Sequence, residues 1–129
     1  MRFYIPSVQL VLLYRFYHFL YKYKFTKPIS YLFYFISRIV YASDIHPAAL
    51  IGANFSIRHH FSIVIGKRVV IGDNCIIYNG VSIGQRSIRD NRMPLLGDNI
   101  ILYKGATVCG SGKLPDNTIV GANKVIILK

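Results

Sequence analysis

The sequence predicts an all-β solenoid, a parallel β-helix of six-residue repeats behind a short α-helical segment, and three observations predict it. Aliphatic residues recur at Leu96, Leu102, Val108, Leu114, Val120 and Ile126 without a slip, and again at Ile65, Ile71, Ile77 and Ile83. Gly follows several of them, as in Ile51-Gly52, Ile65-Gly66, Ile71-Gly72, Ile83-Gly84, Leu96-Gly97 and Val120-Gly121. The composition changes near residue 44, from a Tyr- and Phe-rich stretch to one dominated by Ile, Val, Gly and Asn. A fixed hexapeptide period marks a β-helix, in which each coil buries its apolar face only against its neighbours.

The helical segment comes first. Residues 1–43 hold eight of the ten Tyr, six of the eight Phe, six basic residues and no acid. Pro6-Ser7 reads as a helix start with Ser7 as N-cap, and Thr26 with Pro28 as a second start running to about Tyr41. A Lys-rich joint, Lys22-Tyr23-Lys24, separates the two helices, and Arg15, His18 and Lys22 share one face of the first. The longest charge-free run, Phe3 to Tyr14, is twelve residues, short of the ~18–20 that cross a bilayer. A basic, aromatic, amphipathic pair fits a membrane surface; the other reading is that it packs on the β-helix or on a partner subunit. No small-residue cleavage site follows, so no signal peptide is expected. The expected location is the cytoplasm, with peripheral contact on the inner face of the cell membrane as a further reading.

The solenoid is expected over 44–129. Three hexads make a coil of about 18 residues, so these 86 residues give nearly five coils. The leading aliphatic residue of each hexad points inward. Its fifth position takes a compact residue near a corner: Val69, Cys75, Val81, Ala106, Gly112 and Thr118. Cys75 is therefore expected in the core, and Cys109 is read as structural too. Gly-Asp-Asn at 72–74 and 97–99 suits turns that need φ > 0. Two cysteines make no disulfide framework and fit a reducing compartment. Sixteen Lys and Arg face five acids, all Asp, for a net charge of +11. That balance suits a polyanionic or phosphate-bearing partner. Nucleic acid is not favoured, because the aromatics are not interleaved with a basic stripe in the repeats.

The period breaks twice, and loops that leave a regular scaffold are where chemistry concentrates. Eight residues separate Ile57 from Ile65, around Arg58-His59-His60-Phe61. Thirteen separate Ile83 from Leu96 where twelve would keep phase, and the segment 85–94 has no repeat character and carries Arg86, Arg89 and Arg92.

The residues at the first break carry a resemblance. Asp44-Ile45-His46-Pro47-Ala48-Ala49, Ile51-Gly52, His59 and Ile63-Val64-Ile65-Gly66 resemble the serine O-acetyltransferase family, in which a DIHPxAxIG phrase precedes a His followed by an IVVGE phrase. The resemblance covers about 44–129 and implies a left-handed β-helix, a homotrimer with interfacial sites, and acetyl-CoA as co-substrate with no metal. It implies His59 as general base and Asp44 as its partner. The chemistry also stands on its own. An imidazole with an ordinary pKa near ~6.5 accepts a hydroxyl proton as that oxygen attacks a thioester, and a carboxylate on the far ring nitrogen fixes its tautomer. His60 matches no catalytic position, His46 is read as a turn residue, and His18 belongs to the helical region.

Gly80-Val81-Ser82-Ile83-Gly84-Gln85-Arg86 and Pro94-Leu95-Leu96-Gly97-Asp98-Asn99 are similar to the branch that acetylates colanic acid and other surface polysaccharides. Arg58 stands where serine acetyltransferases carry an Asp, and Met93 follows Arg92 where they carry a His. Their large N-terminal helical domain and C-terminal tail have no counterpart here. The expected acceptor is therefore a saccharide or nucleotide sugar met by Arg58, Arg86, Arg89, Arg92 and Met93. The alternatives are a serine O-acetyltransferase of reduced size and a non-catalytic basic scaffold on a membrane surface. A zinc carbonic anhydrase on the same solenoid is disfavoured because no His follows His60. For acetyl-CoA the resemblance points to the backbone around Tyr103, Lys104, Gly105 and Ala106 and around Gly121 and Ala122. Lys104, Lys124 and Lys129 are candidate phosphate partners.

Overall fold

The computed structural model describes residues 5–129, so the start of the apolar run at Phe3 lies outside the described residues. Two helices, α1 (Pro6–Tyr21) and α2 (Lys27–Tyr41), precede thirteen short strands. Ser7 is not the N-cap of α1. Ile5 takes that place without a side-chain bond, Pro6 opens the helix, and Ser7 is buried. Proline brings a preset φ and has no N–H to satisfy. Thr26 precedes α2 as expected, but its hydroxyl turns back to the Leu20 carbonyl at 2.7 Å and ties the joint to α1.

The strands stack into the three faces of a left-handed parallel β-helix. The first face holds β1 (Asp44–Ile45), β4 (Val64–Ile65), β7 (Ser82–Gly84), β10 (Thr107–Gly110) and β13 (Val125–Leu128). The second holds β2 (Leu50–Ile51), β5 (Val70–Ile71), β8 (Leu95–Leu96) and β11 (Lys113–Leu114). The third holds β3 (Ser56–Ile57), β6 (Ile76–Ile77), β9 (Ile101–Leu102) and β12 (Ile119–Val120). Each leading aliphatic residue pairs with its equivalent in the next coil, as in Ile45↔Ile65↔Ile83↔Val108↔Ile126. All of these except Ile126 are buried, along with the compact residues Val69, Cys75, Val81 and Ala106. The Cys75 thiol faces the Gly97 carbonyl at 3.3 Å, and burial pushes its pKa up. Cys109 is different: it follows buried Val108 on β10 and points out of the first face.

The described residues make four coils and one further strand rather than nearly five coils. The second break explains the difference. Ile83 and Leu96 lie on successive strands, β7 and β8, so they are neighbouring hexad positions. The insertion is a whole extruded loop at one corner, not a one-residue slip spread over two hexads. The first break is a longer corner: residues 58–63 join β3 to β4, where residues 78–81 suffice to join β6 to β7.

Corner chemistry divides the work between Asn and Gly. Along the second-to-third corner, Asn54, Asn74, Asn99 and Asn117 take the left-handed conformation, with φ of 56°, 59°, 57° and 65°. The neighbouring glycines serve closeness. A Cβ on Gly72 would meet the Asp98 carboxylate and stand 2.6 Å from the Gly97 carbonyl oxygen. The Asp side chains of that column bond one coil to the next: the Ala53 amide donates to Asp73 at 2.8 Å, Asp73 to Asp98 at 2.7 Å and Asp98 to Asp116 at 2.7 Å.

The ladder polarity explains α1. Backbone N–H groups of each coil donate to carbonyls of the following coil, as Leu50 does to Val69 at 2.9 Å and Ile76 to Ile100 at 2.8 Å. The carbonyls of the first coil therefore have no preceding strand to donate to them. Side chains of α1 take that role. The Tyr17 hydroxyl donates to the Ile45 carbonyl, Tyr14 to Ala49, and Arg15 to Ile51 and Gly52. His18 meets the Pro47 carbonyl at 2.6 Å. Arg15 and His18 are thus turned onto the first coil, where with the two tyrosines they satisfy groups that would otherwise be buried unpaired. A solenoid end needs such a cap. Ser30 of α2 locks the pair by donating to the Tyr17 carbonyl at 2.5 Å.

Candidate active site

The longer corner 58–63 sets out His59. The corner is anchored from behind: the Ser43 hydroxyl donates to the His60 carbonyl, and Ser62 N–H donates to the Ala42 carbonyl at 2.9 Å. His59 itself is exposed, and its ring faces Tyr78 at 6.4 Å between centroids. Tyr78 in turn stacks on Tyr103 at 5.0 Å with the planes 26° apart. This alignment follows from register. Arg58, Tyr78, Tyr103 and Gly121 each follow a paired residue of the third face, Ile57↔Ile77↔Leu102↔Val120. One edge of the prism therefore carries His59, two stacked tyrosines, Lys104 and Lys124 in sequence. No acid lies on that corner in any coil, since Asp73, Asp98 and Asp116 all sit on the second-to-third corner.

Tyr78 was not picked out from the sequence. Its signal was there: Ile77-Tyr78 and Leu102-Tyr103 are the same hexad position in successive coils. Of the proposed cofactor contacts, Tyr103, Lys104, Gly105, Gly121, Ala122 and Lys124 share this edge. Lys124 lays its stem across Gly121, and Gly105 holds φ of +70° under Asn123. Ala106 is fully buried; its N–H donates to Tyr103 and its carbonyl accepts from Ser82, so it forms floor rather than a contact.

Asp44 lies at the start of β1, with its carboxylate taken by the Tyr34 hydroxyl and by Arg38, whose Nε is 3.7 Å away. No hydrogen bond joins it to His59 in this conformation. Asp44 lines a crevice of ≈ 180 Å³ with Arg38 and Ser62 at the end of the 58–63 corner, and His59 is not among its walls. Tyr34 and Arg38 escaped the sequence reading because the register of α2 against β1 is set by packing, not by motif. His46 is a turn residue as expected: its Nδ1 accepts the Ala48 N–H at 2.9 Å, and rings of Tyr21, Tyr31 and Tyr34 surround it. Burial, with Lys67 adding to it, lowers its pKa. His60 packs between Tyr41 and Phe61, and burial likewise lowers its pKa.

The extruded loop behaves less simply than its charge suggested. Arg92 is not free: it forks onto Asp90 with two 2.8 Å bonds and holds that carboxyl down to about 2. Arg86 and Arg89 are exposed, as is Arg58. Met93 folds back against Gly66, whose missing side chain leaves room for the Met Cε. Together with Gln85 it walls a groove of ≈ 360 Å³ on the first face, floored by Gly66, Ser82, Gly84, Thr107 and Cys109. The groove runs across the first face from Val64, Ser82 and Thr107 to Met93, and the corners that carry His59 and Met93 lie at opposite ends of the first-face strands. Among the described residues no three His, Cys, Asp or Glu side chains converge.

A left-handed β-helix of hexapeptide repeats, with an imidazole at a lengthened corner and a loop thrown out from another, defines the class as a hexapeptide-repeat solenoid protein. No protein-family model matches the chain. Its relatives include the serine acetyltransferase of Helicobacter pylori, 36% identical over 126 residues that cover 95% of this chain and 71% of that one. The serine acetyltransferase of Synechococcus elongatus is 32% identical over 123 residues, 95% of this chain and 50% of its relative. The serine acetyltransferase of Brucella abortus, solved in complex with coenzyme A, superposes with a TM-score of 0.87 at 25% identity over 97% of this chain and 52% of that one. The chain belongs to the serine acetyltransferase family. It spans about half the length of the Synechococcus and Brucella proteins. These relatives overturn the expectation of a saccharide acceptor and a place in the polysaccharide branch, and they favour the serine alternative instead.

Proposed function

We propose that this chain transfers the acetyl group of acetyl-CoA to the side-chain hydroxyl of serine. In this reading residues 44–129 are the catalytic β-helix and the helices α1 and α2 its N-terminal cap. The observation that carries the proposal is the single edge on which His59, the Tyr78–Tyr103 stack, Lys104 and Lys124 align. The thioester end of acetyl-CoA lies at His59 and its phosphates lie towards the acid-free lysines, with Tyr78 and Tyr103 offering ring faces between them.

The serine oxygen attacks the thioester carbonyl while the His59 imidazole takes the hydroxyl proton. The tetrahedral adduct collapses by breaking the C–S bond, and the imidazolium returns the proton to the departing thiolate. The products are O-acetylserine and coenzyme A. Asp44 is the partner of the His59 imidazolium, held ready by Tyr34 and Arg38. Arg58, exposed beside His59, has a second sense that the sequence reading passed over: the guanidinium that repels an ammonium attracts the serine carboxylate. Because Met93 and His59 sit at opposite edges of the first face, we infer a homotrimer in which the loop of one copy reaches the corner of the next. The test is release of free thiol from acetyl-CoA with serine as acceptor. His59→Ala should lose at least ~10³-fold in kcat, the scale of a positioned general base, at unchanged oligomeric mass; wild-type turnover in that variant would remove His59 from the mechanism.

A further inference from the structure

The two helices carry a surface that the capping role does not use. Their inner residues, Leu10, Tyr14 and Tyr17 on α1 and Ser30 and Ser37 on α2, are buried. On the outer side, Phe16, Phe19, Leu32, Phe35 and Ile39 stand 47–66% exposed, and Phe25 at the hairpin tip is 91% exposed. On α2 the exposed Ile29, Leu32, Ile36 and Ile39 recur at helical spacing and form one stripe. Phe16 meets Phe33 edge-on at 5.1 Å, which joins the α1 stripe to that of α2. The result is one apolar field across the hairpin, larger than the scattered exposed side chains of an ordinary surface.

The rim of this field is basic at the hairpin tip. Lys22 and Lys24 alternate with exposed Tyr23 and Phe25, and Lys27 lies 4.4 Å over the Tyr21 ring, while at the far end Arg38 is paired with Asp44. The whole segment 1–43 contains no acid. A second copy docking through the same face would set these cations against each other, since all five Asp belong to residues 44–129. Among the described residues no helix is long and apolar enough to cross a membrane. We propose that the outer face of the α1–α2 hairpin lies on an anionic lipid bilayer, with Phe25, Leu32 and Ile39 entering the acyl boundary and Lys22 and Lys24 meeting lipid phosphates. The capping bonds of Tyr14, Arg15 and Tyr17 hold the hairpin with this face outward, so docking needs no unfolding.

Sedimentation of the full chain with vesicles tests this. Phosphatidylcholine vesicles containing phosphatidylserine should bring the chain down, pure phosphatidylcholine vesicles should not, and added salt should release it. Two surface variants, Lys22→Gln with Lys24→Gln, and Phe25→Ser with Leu32→Ser and Ile39→Ser, should each lower partitioning about tenfold or more, with unchanged far-ultraviolet dichroism and thiol release. Equal sedimentation with neutral and anionic vesicles overturns the proposal, as does its absence from both. So does a fall in oligomeric mass in the Phe25, Leu32 and Ile39 variant, which makes the face a contact between copies. Sedimentation, dichroism and oligomeric mass do not depend on the acceptor, so the proposal and the serine reading fail separately.

Discussion

Replacing Tyr17 by Phe, and separately Tyr14 by Phe, removes one hydroxyl from the cap and leaves the rings in place. Both side chains are essentially fully buried, and burial raises both phenol pKa values, so each hydroxyl is a neutral donor at any physiological pH. Each serves one first-coil carbonyl, Ile45 for Tyr17 and Ala49 for Tyr14, that has no strand above it. Leaving such an acceptor buried and unpaired costs about 1–3 kcal/mol, a large part of a typical total of ~5–15 kcal/mol. The two effects should fall short of additive, because the rings meet edge-on at 5.6 Å and rest on the same coil. Urea unfolding followed by far-ultraviolet dichroism measures the loss as a lower midpoint. Tyr23→Phe, an exposed hydroxyl on the hairpin tip, is the reference and should stay within ~0.5 kcal/mol of wild type. If the two buried variants unfold with the reference, the carbonyls find other donors and α1 is not the cap of the solenoid.

Four further outcomes follow from the same geometry. Tyr78→Ala should raise KM for acetyl-CoA by about tenfold, since a stacked pair contributes roughly 0.5–1.5 kcal/mol beyond burial; an unchanged KM in steady-state kinetics would take the aromatic edge out of cofactor binding. Arg58→Ala should raise KM for serine by roughly 10–100-fold, the scale of a lost charge-assisted bond, whereas a lower KM would mean that Arg58 opposes the ammonium. Gly72→Ala should cost about 1–3 kcal/mol in a urea midpoint, because the Gly97 carbonyl and Asp98 fill the space; Gly84→Ala, with nothing within 4 Å, should not. His46 and His60 have pKa values below the unfolded value, so the unfolded chain binds their protons first. Stability should be full above about pH 6.5 and decline as pH falls through that value towards the folded pKa values. His46→Asn should flatten the decline in part, and a midpoint that rises on acidification would reverse the assignment.

The hexad pattern made the solenoid legible because a β-helix repeats one environment. Ile65, Ile71 and Ile77 meet the same inward position in successive strands, so their spacing reports burial directly. The breaks were legible as places but not as sizes. Thirteen residues between Ile83 and Leu96 looked like two hexads and a slip, because the loop length falls close to a multiple of the repeat. Only strand pairing shows that it occupies one corner. The helices were legible as helices, from Pro6, Thr26 and the joint, yet the use of Arg15 and His18 was not. A basic residue on a helix reads as solvated until the carbonyls it meets are known, and those belong to strands some thirty residues on.

The site shows the same limit, in the sign of an interaction rather than its place. His59 and Asp44 stood out because they combine a motif with a broken period. Arg58 stood out too, but a sequence gives a charge without the group that faces it. Read against the ammonium of serine it argues for another acceptor; read against the carboxylate it argues for serine itself. Arg92 makes the converse point, since a cation counted toward the acceptor spends its fork on Asp90 two residues back. Arg86, Arg89 and Arg58 remain exposed, and of these Arg58 alone adjoins His59 in the chain, where one guanidinium suits an amino acid's one carboxylate.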